Sequence, residues 1–539
     1  MKAHLLFADE DFDADADLPW NHEDLVLDLE LSTLLHAMAN GDRFLFDVSR
    51  RVLLAGVDDV DSILYRQHVL ADAISHPRVI RDMYEVAVAA LEDRRSIWSG
   101  YGGSYQSPQS TLSGAVRHLE AYIARLRELR RIADEHAEEF ESAGLRNFLS
   151  TLRQQLSDEY FAEVSEHLKQ LRFRGGIFMS ARLDNDNSGI DFVLRAPVGS
   201  GRSWKHRLGI GARSSYSFTV PVRDEGGIQV LQDLGDRGIN LVANATAQSA
   251  DHLKSYFTML RFELGYYVAC VNLHDRVVEK PVPVTFPEPA PLDSVAFSCT
   301  DLRDVSLALQ SDSPVIGNDV EGDGKELVII TGANSGGKST FLRSVGAAQL
   351  MMQSGLFVTA REYRANVVTH LFTHFIREED SSMQSGRFDE ELGRMSAIAD
   401  HLRPRCLVLF NESFAGTNEL EGSEIARQIV RALLESTIKV FAVTHRFDFA
   451  QSFFERHADF TLFLRADRLP DGARSYKLAA KRPLPTSFGE DLYYRLGAWL
   501  AEDEAESKDR EEEEEEEEAR SPVSSPAPEM DEDQTAARR

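Results

Sequence analysis

KELVIITGANSGGKSTFLRSVGAAQLMM, residues 325–352, is the stretch whose reading decides the fold. Residues 327–331 form an apolar β-run. Gly332, Ala333, Asn334, Ser335, Gly336, Gly337, Lys338 and Ser339 then fit the pattern GxxxxGK[ST], and a helical pattern follows from Thr340. Glycines let backbone N–H groups curl around a phosphate without interference from Cβ atoms. Lys338 reaches the β- and γ-phosphates, and the Ser339 hydroxyl is placed to ligate Mg²⁺. A bare match of this kind also arises as an accidental glycine-rich turn. Here the flanking strand and helix supply the context that the chemistry requires, so a site for ATP and Mg²⁺ is expected at residues 332–340.

Downstream, CLVLFNES (406–413) reads as a second apolar strand ending in Asn411 and Glu412. In a P-loop ATPase an Asp at such a strand end holds the metal and a Glu polarises the attacking water. Glu412 is placed for the water. Asn411 offers the metal a carbonyl oxygen without charge. The plainer alternative is a buried strand that ends in polar residues. AGTNELEG (415–422) is a loop before a helix at about 424–434. KVFAVTHR (439–446) is another apolar strand, and His445 at its end is a candidate sensor of the γ-phosphate. The expected catalytic set is Glu412, His445 and Lys338.

The rest of the chain divides by pattern. Residues 1–24 form an acidic arm, expected to be loosely ordered to about Pro19. Residues 25–172 carry apolar residues at spacings of three and four, as in Leu53, Val57, Val60, Ile63 and Leu64, and read as helices. A loop at 99–110 separates two helical blocks. One long helix is expected over about 111–136, and another over about 145–171. From 173 to 245 short alternating runs divided by Gly, Asn and Asp (FRGGIFMSARL, IDFVLRAP, YSFTVPV, GINLVANAT) read as strands and hairpin turns. A helix resumes at about 246, and residues 246–285 return the chain past a proline-rich stretch at 281–291. The α/β segment occupies 286–500. Residues 501–539, with eight consecutive glutamates at 511–518, are too polar to bury a core and are expected to be disordered. The fold class is therefore multidomain, α followed by α/β, with a β-rich insert.

Composition narrows the function. The chain has 539 residues, too many for one ordinary core. Cys270, Cys299 and Cys406 show no metal-ligand spacing, and three scattered thiols suit a cytoplasmic protein. The opening MKAHLLFADEDF has no signal-peptide pattern, and no apolar run is long enough for a membrane span. The formal net charge of −29 speaks against a nucleic-acid partner when taken as a total. Its distribution softens that reading. Residues 501–539 hold 17 acidic and 5 basic side chains, and residues 1–30 hold 10 acidic and one basic. Residues 171–220 hold 8 basic and 3 acidic side chains. Arg172, Arg174, Arg182, Arg195, Arg202, Lys205, Arg207 and Arg213 are therefore either phosphate contacts or a solvated sheet face.

Taken in order, TGANSGGKST, SGRF (385–388), LVLFNE, GTNELEG and VTH resemble the ATPase domain of the MutS family of ABC-type ATPases. VIGNDV (315–320) and GLFVTA (355–360) resemble further segments of that domain, and the likeness covers about 290–455. LLHAMANGDRFLFDVSRRVL and VDSILYRQHVL, before residue 77, resemble the family's helical core more weakly. The insert at 173–245 lies where the family places a DNA clamp between two lever helices.

Three departures stand out: the N-terminal mismatch-reading domain has no counterpart, Asn411 replaces the metal-binding Asp, and the signature loop at 380–391 lacks the full pattern between Arg387 and Phe388. The family's nuclease domain also has no counterpart. The resemblance implies a homodimer in which Ser385 of one copy completes the ATP site of the other. It implies ATP-dependent DNA binding in repair or recombination, with other repair proteins as further partners. A mechanical ATPase acting on a ribosome or protein complex, and a nucleotide switch that hardly hydrolyses, remain open alternatives.

Overall fold

The computed structural model describes residues 2–98, 107–174, 176–186, 189–195, 220, 224–377, 386–469 and 473–485. Eight helices come first: α1 (His22–Asp28), α2 (Leu31–Ala39), α3 (Arg43–Ala55), α4 (Val60–Ser75), α5 (Pro77–Trp98), α6 (Pro108–His136), α7 (Ala143–Gln155) and α8 (Asp158–Leu171). Their starts follow local chemistry. The Asp42 carboxylate accepts from Phe44 N at 2.7 Å, and Asp59 caps α4 in the same way. Ser107 caps α6, with Pro108 at the first helical position, where its missing N–H costs nothing. The stretch expected as one helix over 145–171 is two, because Leu156 leaves helical geometry and Ser157 caps α8 through Tyr160 N at 3.2 Å.

A two-stranded antiparallel hairpin follows, β1 (Met179–Leu183) with β2 (Gly189–Leu194). These are two of the expected strands; the YSFTVPV reading falls almost wholly outside the described residues. The fourth expected strand, GINLVANAT, is helical. It lies inside α9 (Glu225–Val278), a 54-residue helix that starts well before residue 246. Gly238 misled the pattern. A Cβ there would lie 2.9 Å from Met179 Sδ, so this glycine admits the hairpin against the helix and marks no turn. α9 packs along α5, α6, α2, α3 and α4, burying Phe257, Leu260 and Leu264 at its centre.

The N-terminal arm is also ordered differently from expectation. Leu5 and Leu6 are fully buried, and Phe12 stacks on Phe262 of α9 with ring centroids 5.0 Å apart. Leu5 N donates to Glu263 Oε2 at 2.8 Å, and Tyr267 donates its hydroxyl to Leu5 O at 2.6 Å. The carboxylates that suggested looseness (Asp9, Glu10, Asp13, Asp15, Asp17) face solvent, while the few apolar residues between them anchor the segment.

The remainder is α/β: β3 (Glu288–Ala290), β4 (Phe297–Leu302), α10 (Val305–Gln310), β5 (Asn318–Glu321), β6 (Leu327–Gly332), α11 (Lys338–Gln353), β7 (Glu362–Asn366), β8 (Leu371–Phe375), α12 (Arg387–His401), β9 (Leu407–Asn411), α13 (Glu419–Glu435), β10 (Lys439–Val443), α14 (Phe447–Arg456), β11 (Thr461–Arg468) and β12 (Arg474–Ala480). The main sheet has the order β12-β11-β6-β10-β9-β8 and is parallel except for β12. A smaller sheet runs β3-β7-β4-β5. Val328 and Ile330 of β6 join the core shared with the helical region, while Leu327 and Ile329 join a second core under α12, α13 and α14. Burial on both faces is why these strands read as continuous apolar runs. The expected mixture of a helical region and an α/β region is thus observed. Gly346 of α11 joins them closely: a Cβ there would meet Leu29 at 2.6 Å and Leu409 at 2.7 Å.

Candidate functional site

The glycine-rich turn runs from the C-terminal end of β6 into α11, at the centre of the parallel sheet. Ligands of open α/β sheets bind outside such strand ends. β11 passes directly behind the turn. A Cβ on Gly332 would lie 2.8 Å from Ala466 N, and one on Gly336 would lie 2.8 Å from Ala333 O. Gly332 (φ 107°) and Gly337 (φ 87°) also occupy the left-handed region. Gly337 is the N-cap of α11 and brings no side-chain acceptor, so the first-turn N–H groups remain available to an anion.

Lys338 opens α11. Its ammonium donates to Gly332 O at 3.1 Å and to Ala333 O at 2.9 Å. Burial pushes its pKa down to about 8, against the pull of the Glu412 carboxylate, while Arg474 adds to the lowering. One residue on, Ser339 Oγ donates to Asn411 Oδ1 at 2.9 Å, which brings the two candidate metal ligands together. Glu412 follows with a left-handed backbone (φ 56°), its N–H donating to Val443 O at 2.9 Å. His445 Nε2 sits 2.8 Å from Glu412 Oε1. The hydrogen bond from His445 holds the Glu412 carboxyl below its ordinary range despite burial, with Lys338 and Arg387 assisting. Sequence positions more than 100 apart at the extremes therefore meet in one place: Gly332 to Thr340, Asn411, Glu412 and His445.

Of these, Asn334 to Thr340, Glu412 and His445 border a hollow of about 820 Å³, within the range of small-molecule sites. Leu307, Ser311, Val315 and Ile316 line it further, as does Tyr476, which lies against Gly337. Ile316 and Tyr476 are 45% and 49% exposed, which makes them apolar surface available to a ligand. Tyr476 and Arg474, whose Nε donates to Asn334 O at 3.1 Å, went unnoticed in the sequence because β12 carries no motif. Asn318 ties that strand down: Leu478 N donates to its Oδ1 at 2.7 Å, and its Nδ2 donates to Tyr476 O at 3.2 Å.

Among the described residues no group of three or more His, Cys, Asp or Glu forms a metal cluster. The donor set Ser339 Oγ and Asn411 Oδ1 suits Mg²⁺, which takes few protein ligands and fills its shell with water and phosphate oxygens. The glycine turn fits a phosphate chain in the same way, since its glycines let the backbone lie close against β11 and leave the first-turn N–H groups of α11 without a side-chain acceptor.

The other candidates are more scattered. Ser385, Arg202, Lys205, Arg207 and Arg213 lie outside the described residues, as does the tail at 501–539. Arg172 is committed to Glu120, its Nη2 2.6 Å from Oε2, and Arg182 pairs with Asp191 at 2.8 Å. Arg174 is exposed, and the exposed Arg195 donates to Ser180 Oγ at 2.9 Å. No helix among the described residues is long and apolar enough to cross a membrane.

A strand–glycine turn–helix with Asn-Glu and His at adjacent strand ends, joined to a long-helix region with an inserted hairpin, defines a class. Residues 58–280 match the MutS2 N-terminal domain and residues 328–482 match MutS domain V. The chain belongs to the MutS family. It is 39% identical over 119 residues to the DNA mismatch repair protein MutS of Chloroflexus aurantiacus, covering 22% of this chain and 12% of that protein. It is 36% identical over 146 residues to the Endonuclease MutS2 of Lacticaseibacillus casei, covering 27% of this chain and 19% of that one. With the MutS of Porphyromonas gingivalis the figures are 38% over 128 residues, 23% and 14%. The aligned segments thus span less than a fifth of each of these relatives.

Proposed function

We propose that the chain binds ATP with Mg²⁺ in the hollow lined by the glycine turn and the 311–316 segment, and hydrolyses it. The observation that carries this reading is the Ser339–Asn411 contact beside the Glu412–His445 pair, all within reach of Lys338. In this reading the turn's N–H groups and Lys338 hold the phosphates. Ser339 and Asn411 hold Mg²⁺, whose chemistry is to neutralise phosphate charge. Glu412, kept ionised by His445, accepts a hydrogen bond from the attacking water and orients it, and His445 holds that carboxylate in place. Lys338→Ala should abolish binding of a fluorescent ATP analogue while leaving the melting temperature near that of the parent. Undiminished binding would remove the nucleotide from this hollow.

The partner in this reading is DNA, engaged by a homodimer through the hairpin and the long helices in repair or recombination. Its support is the printed names of the relatives and the exposed Arg174 and Arg195 near or on the hairpin. Coupling would come from different DNA affinities of the two nucleotide states. A binding panel of homoduplex, mismatched and branched DNA, with and without ATP, tests it; binding of none of them would point to a non-DNA partner. Asn411 favours a second form of the same reading, a slow nucleotide switch, which turnover measurement separates from a fast ATPase.

A further inference from the structure

His445 and Arg446, in the short link from β10 to α14, address opposite parts of one turn. His445 bonds the Glu412 carboxylate. Its neighbour Arg446 turns its guanidinium onto four main-chain carbonyls just beyond Glu412. Nη1 donates to Asn418 O at 3.1 Å and Glu419 O at 3.0 Å, and Nη2 donates to Thr417 O at 3.3 Å and to Phe414 O. Arg446 is itself fixed, because its N–H donates to Thr444 Oγ at 3.0 Å.

Three features set this contact apart from a casual surface clamp. A cation at the start of α13 opposes the helix dipole, which is positive there, so the placement is not one that helix stability selects. Gly422 on the first turn of α13 makes the room: a Cβ there would lie 2.3 Å from Arg446 Cζ. The turn that Arg446 holds is under backbone strain, with Glu412 and Phe414 at φ 56° and 63°, and it needs an external hold to stay in that shape. The held turn also touches α12, since a Cβ on Gly416 would lie 2.9 Å from Phe388 N.

We propose that Arg446 is a positioning residue for hydrolysis, locking the 414–419 turn so that Glu412 stays aligned with His445. This rests on the ATPase reading above. The phosphate cradle lies on other elements, so the inference separates nucleotide affinity from turnover. The test uses the full chain with Arg446→Ala and, independently, Gly422→Ala, which keeps the arginine but displaces its guanidinium. Affinity for the fluorescent ATP analogue should stay near the parent value, while kcat falls about 10- to 100-fold in both, as expected for a misplaced reacting group. His445→Ala combined with Arg446→Ala should lower kcat no further than the larger single effect, because both act on one carboxylate. Parent-like kcat in either folded variant, or effects that multiply in the double variant, would overturn the proposal. A parent protein with no hydrolysis above the Lys338→Ala background would instead defeat the ATPase reading itself. Should Arg446→Ala fail to fold, Gly422→Ala decides alone.

Discussion

Ser339 Oγ on α11 donates to Asn411 Oδ1 at the end of β9 across 2.9 Å, so the hydroxyl that follows Lys338 meets a neutral amide. A carboxylate at this position would add one negative charge beside the proposed metal. Asn411→Asp should therefore lower the Mg²⁺ concentration needed for half-maximal activity and raise kcat about three- to tenfold, on the order of 1 kcal/mol for one charge at a partly solvated site. Steady-state turnover across a Mg²⁺ titration measures both. Slower hydrolysis in the Asp variant would mean that the amide is needed for its own hydrogen bonding.

Glu412 is held ionised by His445, and its carboxylate faces the hollow. Glu412→Gln keeps the side chain's shape and removes the carboxylate proposed to orient the water. Nucleotide binding should persist while turnover drops by about 10²- to 10³-fold. Parent-rate hydrolysis would place the water elsewhere.

How much of this was legible follows from the kind of signal each residue carries. The turn at 332–340, Asn411, Glu412 and His445 all stand at strand ends, where an apolar run stops at a polar residue, and the meeting of strand ends in a parallel sheet brings them together. Tyr476 and Arg474 lie on an antiparallel edge strand whose position depends on Asn318, a contact 158 residues away that no local pattern encodes. The GINLVANAT stretch failed for a different reason. Its glycine serves a close approach to Met179, and a helix tolerates that glycine because 54 residues of packing outweigh a local propensity of about 1 kcal/mol. In the arm, a count of carboxylates masked three buried anchors.

Those anchors are testable. Phe12 is 7% exposed and stacked on Phe262. Phe12→Ala should destabilise the chain by about 3 kcal/mol, the cost of emptying a buried aromatic site. Urea unfolding with an unchanged midpoint would return the arm to the loosely ordered segment that its charge suggested.

Lys439, at the start of β10, is partly buried, and its ammonium donates to Ala296 O at 2.9 Å and Asn366 Oδ1 at 3.1 Å. Burial pushes its pKa down to about 7, with only Asp323 pulling the other way. Between about pH 7 and the ordinary lysine range the unfolded chain binds this proton and the folded chain does not. Stability from this group therefore rises with pH across that window, by up to about 1.4 kcal/mol per pH unit. The stability of the parent minus that of Lys439→Met should increase from pH 7 to pH 9. A difference independent of pH would show that the lysine stays charged when folded.

Mismatch discrimination needs a device that enters the duplex, usually an apolar wedge that unstacks one step and gains most at a flexible, mispaired site. The arm at residues 2–24 is not available for this, because Leu5, Leu6 and Phe12 are packed into the helical core and the carboxylates between them repel phosphate. The basic residues near and on the hairpin are suited to phosphate, and phosphate contacts carry no base information. Two of them are already paired with carboxylates, Arg172 with Glu120 and Arg182 with Asp191. The DNA reading therefore predicts that Arg174→Ala and Arg195→Ala weaken binding equally for all sequences. Each should also reduce the slope of log affinity against log salt by roughly 0.9, while Arg172→Ala should change DNA affinity little. It also predicts a preference of less than about tenfold, 1.4 kcal/mol, for a single mismatch over matched duplex, and a larger preference for branched or distorted DNA. Competition binding at two salt concentrations checks each of these. A mismatch preference well above tenfold would overturn this expectation and turn attention to Phe178 and Leu183, apolar side chains left 54% and 66% exposed beside and on the hairpin, as the reading elements.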